Sequence, residues 1–149
     1  MAHKFIEHLK KDHDKQRALG KQLREAKTAE ERKRLRDEFE EALLPHMEGE
    51  DVSIFDYMSE SGGKPRDKAL KAMQEHHVAK VVLRELEDLS LDGDIFSAKA
   101  YVLDELNRHH MDEEEQDHFP RIESMTTPQK LDSLFETYEE REKEVKQSL

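Results

Sequence analysis

One pattern constrains this chain more than any other. His-x-x-x-Glu occurs twice, as His46 to Glu50 and His110 to Glu114, and the copies are 64 residues apart. On a helix, residues four apart lie one turn apart on one face. His13 and His77 are also 64 apart, and each precedes its His-x-x-x-Glu by 33 residues. Leu19 and Leu83, Met47 and Met111, and Phe55 and Phe119 keep the same interval. The chain therefore reads as two copies of one helical hairpin, each supplying a His and then His-x-x-x-Glu. The interval also chooses between adjacent histidines. One repeat before His76 and His109 stand Asp12 and Pro45, so His77 and His110 are the expected site residues.

Everything around this repeat points to an all-α fold. With five Gly and four Pro in 149 residues, turns are few and elements long. Long segments rich in Glu, Lys, Leu and Ala are helical. The first helix is expected over about 3–26, with Ile6, Leu9, Gly20 and Leu23 on the face that holds His13. Thr28, with Glu31 three residues on, caps a second that carries Leu35, Phe39 and Ala42, bends near Pro45 and runs to about Met58. A third starts near Pro65, carries Leu70, Met73, Val81, Leu83 and Leu86, and stops near Gly93. A fourth begins at Asp92 or Asp94, carries Val102, Leu103 and Leu106, and stops at Pro120. Thr127 and Pro128 open a fifth over about 127–145, with Leu131, Leu134, Phe135 and Tyr138 inward and a charged tail expected to fray. A single domain over 1–149 follows: an up-down-up-down four-helix bundle of two hairpins, about 3–60 and 64–120, plus a C-terminal helix.

Composition removes whole classes of function. The absence of Cys excludes disulfides, thiolate sites and cysteine nucleophiles. A net charge of −11 argues against a nucleic-acid partner. No apolar run approaches the ~20 residues that span a bilayer, so no membrane role is expected. The N-terminus MAHKFIEHLKKDHDK has no apolar signal region, and a cytoplasmic location is expected. What remains conspicuous is nine His beside three Tyr and no Trp.

His46 extends the row Leu35, Phe39, Ala42, and His110 extends Leu103, Leu106, so both His-x-x-x-Glu pairs point inward. An unpaired Glu is costly there. Four inward His and two inward Glu suit first-row transition metals and are too many for one tetrahedral zinc. Two ions fit, each with two imidazoles, bridged by Glu50 and Glu114. That supplies roughly eight of the ~12 positions of two octahedral ions, leaving room for small exogenous ligands. Iron is favoured; manganese and zinc stay open. Tyr57, His76, His109 and Glu113 are alternatives for further positions. His3, His8 and His118 are expected at the surface.

The pieces LKKDHDKQRAL, LLPHMEGEDVSIF, EHHVAKVVLREL and HHMDEEEQDHFP resemble the hemerythrin-like proteins with the His-His-Glu cation-binding domain, over about Phe5 to Pro120. The resemblance implies a four-helix bundle around a non-haem, carboxylate-bridged di-iron centre. It assigns His13, His46, His77 and His110 as terminal ligands and Glu50 and Glu114 as bridges. Oxygen-carrying hemerythrins use five His, whereas only four match here. The function expected first is binding of a small diatomic, dioxygen or nitric oxide, for sensing, storage or detoxification, with an unidentified electron donor. The alternatives are a di-iron oxidase or peroxidase-like enzyme, and an iron-sensing or iron-buffering protein.

Overall fold

The computed structural model describes residues 2–149. The described chain is helical nearly throughout: α1 (Lys4–Glu25), α2 (Ala29–Val52), α3 (Ile54–Glu60), α4 (Gly63–Asp88), α5 (Asp94–Glu113), a π-helical turn (Glu114–His118), α6 (Phe119–Met125) and α7 (Pro128–Ser148). The four long helices α1, α2, α4 and α5 are neighbours around a ring, and α7 lies along α2. This is the expected bundle with its extra C-terminal helix.

The caps follow the sequence. Thr28 Oγ1 accepts the Glu31 N–H at 3.1 Å, and Thr127 Oγ1 accepts the Lys130 N–H at 3.1 Å. His3, expected to be merely exposed, caps α1: its Nδ1 accepts the Phe5 N–H at 3.0 Å.

Three expectations are corrected. The second helix does not run unbroken to Met58. It is interrupted at Ser53 (φ −114°, ψ −92°), whose Oγ donates to the Gly49 carbonyl at 2.6 Å. Pro120 does not stop the fourth helical run. It falls at the second position of α6, after the π turn, and helix continues to Met125. The tail does not fray. Val145 is buried, and Arg141 holds Glu48 of α2 at 2.9 Å, so α7 stays packed well past Tyr138.

Apolar residues form two separate cores. One gathers Phe5, Ile6, Leu9, Phe55, Met58, Phe119 and Tyr138. The other gathers Leu23, Leu35, Phe39, Leu43, Leu86, Phe96 and Leu103. Between them in sequence on every bundle helix falls a stretch of buried polar side chains: His13 and Gln16, His46 and Glu50, His76, and Asn107, His110 and Glu114. Burying so many polar groups opposes folding unless each finds a partner.

Candidate metal centre

The polar layer contains two groups of four residues. His13, His46, Glu50 and Glu114 bring one ligand atom each within 4.8 Å of one another, and so do Glu50, His76, His110 and Glu114. All six residues are buried, and Glu50 and Glu114 belong to both groups. Helical spacing builds this directly. His46 and Glu50 are one turn apart on α2; His110 lies in the last turn of α5 and Glu114 opens the π turn. Both carboxylates lie at an irregularity: Glu50 shortly before Ser53, and Glu114 at the first residue of the π turn.

Five of the six expected residues converge here, and His77 does not. It is exposed, while its neighbour His76 is buried in the site. The interval of 64 holds for the second helix of each hairpin: Phe39 and Leu103, His46 and His110, and Glu50 and Glu114 are all buried pairs. For the first helix it is 63. Ile6, Leu9, His13, Gln16, Gly20 and Leu23 match Ala69, Ala72, His76, Ala79, Leu83 and Leu86, and every member is buried. The loop between helices is correspondingly longer in the second hairpin, residues 89–93 against 26–28. His76 and His77 are 100° apart around α4, so only one can face inward.

Each imidazole is held at its outer nitrogen by a carboxylate. Nδ1 of His13 meets Glu115 at 2.6 Å, His46 meets Asp12 at 3.0 Å, His76 meets Asp51 at 2.7 Å and His110 meets Glu75 at 3.0 Å. A carboxylate there keeps the proton on Nδ1 and leaves the Nε2 lone pair facing in. Nε2 lies 2.9 Å from Glu114 in His13, 3.3 Å from Glu50 in His46, 3.2 Å from Glu50 in His76 and 2.9 Å from Glu114 in His110. Yet several of these atoms form no aligned hydrogen bond: Nε2 of His13 and His46, both Glu50 oxygens and Glu114 Oε1 are buried without a partner. Lone pairs aimed at one another across a buried space fit a cation, the one group that would satisfy all of them together.

The electrostatics agree. Burial pushes the imidazole pKa values down, but the carboxylates outweigh it: His46 is raised well above its ordinary value by Glu50 and Asp12, and His110 is raised to about 10 by Glu114 and Glu75. Burial likewise pushes Glu114 up, and His110 and His13 bring it well below the ordinary carboxylate range. A cation in this layer would compete with protons for the same imidazole nitrogens and carboxylate oxygens.

The other candidates lie elsewhere. Tyr57 donates its hydroxyl to Thr126 at 3.1 Å. His109 is 74% exposed, and Glu113 holds Lys71 at 3.0 Å. His8 is half-buried beside Asp12 and Glu142. His118, expected at the surface, is buried edge-on to Phe55, with ring centroids 5.7 Å apart. Sequence reasoning missed the four outer carboxylates and Tyr138, whose hydroxyl donates to Asp12 at 2.8 Å beside His46. A signal for the carboxylates existed: Asp12 and Glu75 directly precede His13 and His76, and Asp51 and Glu115 directly follow Glu50 and Glu114.

An all-helical bundle with a buried His/Glu layer of this kind defines a cation-binding domain. The family model described as hemerythrin HHE cation binding domain matches residues 4–122, and the chain belongs to that family. Neither the comparison with curated proteins nor that with solved structures returned a match.

Proposed function

We propose that the chain holds two iron ions, one per four-residue group, and binds a small diatomic there, dioxygen or nitric oxide, for sensing, storage or detoxification. The observation that supports this reading is the pair of groups sharing both glutamates. His13 and His46 would hold one ion, His76 and His110 the other, and Glu50 and Glu114 would bridge them. In its reduced form such a pair supplies open coordination positions and electron density to a diatomic ligand. The chain's own residues supply the rest. Asp12, Asp51, Glu75 and Glu115 fix each imidazole and raise its basicity. The two apolar cores flank the layer on either side. An electron donor outside the chain would return the pair to its reduced form, in the cytoplasm.

Elemental analysis with anaerobic titrations tests this. Two irons per chain are expected, with absorption changes when nitric oxide meets the reduced protein and azide the oxidised one. Full iron occupancy without a response to either ligand would leave a closed, structural metal centre and overturn the gas-binding reading.

A further inference from the structure

A cavity of about 240 Å³ lies between α4 and α5. Its buried lining comes from Met47, His76, Ala79, Asn107 and His110, and its exposed lining includes Val78 and Leu106. Apolar surface makes up most of its wall, and Lys71, Gln74, Glu75 and His109 also line it, a mixture usual in small-molecule sites.

The first hairpin shows what such a place takes. Under the two repeat intervals, Lys71, Glu75 and His110 at the cavity correspond to His8, Asp12 and His46. A phenol sits against those three: the Tyr138 hydroxyl donates to Asp12 Oδ2 at 2.8 Å, lies 3.1 Å from His46 Nδ1, and its ring meets His8 edge-on. Glu75 holds His110 as Asp12 holds His46, but among the described residues no second donor reaches it. Lys15 and Ala42 of the first hairpin become Val78 and Leu106, which makes the place more apolar. Gly49, under the Tyr138 ring, becomes Glu113, which ties down Lys71 at the rim.

We propose that this cavity is a binding site for a phenol-sized molecule, its ring against Val78, Ala79 and Leu106 and its hydroxyl donating to Glu75. It would put the guest against His76 and His110 only, because Tyr138 occupies the place beside His46, and the cavity left on that side, lined by Asp12, Lys15, Leu19 and Ala42, reaches neither His13 nor His46.

The test is a titration of the protein with phenol, followed by methyl NMR, on metal-free and metal-loaded samples. Saturable shifts are expected at Met47, Val78, Ala79 and Leu106 and none at Leu19 or Ala42. Anisole, which lacks the donor hydroxyl, is expected to bind about tenfold more weakly, the worth of one hydrogen bond to a charged acceptor. Val78→Trp, at a position 48% exposed and so tolerant of size, is expected to fill the mouth and abolish saturation while leaving the helical circular dichroism unchanged. Shifts spread equally over both hairpins, or saturation intact in Val78→Trp, would overturn the site. Equal affinity for phenol and anisole would overturn the role of Glu75.

Discussion

The two hairpins carry the same chemistry inside and different surfaces outside. In each, two imidazoles face one shared pair of glutamates, and each imidazole has its own carboxylate behind it. On the first hairpin α7 lies along α2, and Tyr138 closes over His46. Among the described residues the second has no such cover. Of the nine exposed large apolar side chains among the described residues, seven are on α4 or α5. A duplicated interior with a one-sided cover makes an asymmetric layer from matched side chains. Tyr138 closes over His46 in one half, and a cavity reaches His76 and His110 in the other.

The largest effects should ignore that asymmetry. Glu50 and Glu114 each serve both groups, so Glu50→Ala or Glu114→Ala is expected to cut metal content from two per chain to well under one. His46→Ala or His110→Ala should empty only its own half. Metal analysis of the four variants separates shared from private ligands. A full complement retained in Glu50→Ala would break the symmetry of the interior.

Next in size is the cover. A Cβ on Gly49 would lie 2.6 Å from the Tyr138 ring, so Gly49→Ala must displace α7. A cost of about 1–3 kcal/mol is expected from such overpacking. Glu113→Ala, at the counterpart position on the uncovered hairpin, should stay within about 0.5 kcal/mol. Denaturant unfolding of both variants checks the contrast.

Removing the metal should expose the protonation that replaces it. In the metal-free protein the His110 pKa is raised from 6.5 to about 10. A raised imidazole stabilises the fold fully below its unfolded value and loses that contribution as pH rises through the folded one. Glu114, depressed below 4.5, contributes above that value and is lost as pH falls further. Metal-free melting temperature should therefore decline between pH 6.5 and 10, and metal should raise it most at the alkaline end. Scanning calorimetry across that range would show it. A metal-free protein as stable at pH 9 as at pH 6 would contradict this.

The most local effect expected is that of Tyr138→Phe. It removes the hydroxyl that donates to Asp12 and should cost about 1.5 kcal/mol, the worth of one hydrogen bond to a charged acceptor. The His46 ring resonances should move and those of His110 should not.

The bundle and five of its six inner residues were legible because His-x-x-x-Glu on a helix leaves little freedom in where those groups point. His76 was not, for a physical reason. The buried row of α4 on either side of the site is Ala69, Ala72 and Ala79, small residues with a weak apolar signal. Leu70, Met73, His77 and Val81 form a stronger stripe at helical spacing, yet Leu70, His77 and Val81 are exposed. Leu19 and Leu83 then fixed the wrong interval, because Leu83 corresponds to Gly20, where a Cβ would strike Asp104 Oδ1. No local propensity marks the breaks at Ser53 and at the π turn.

The most direct test of the duplicated centre is therefore the metal content of two adjacent variants, His76→Ala and His77→Ala, purified side by side. Two metals per chain in His77→Ala and about one in His76→Ala is the expected result. A full complement in His76→Ala with a loss in His77→Ala would contradict the arrangement, and the second half of the centre would have to be rebuilt in the other register.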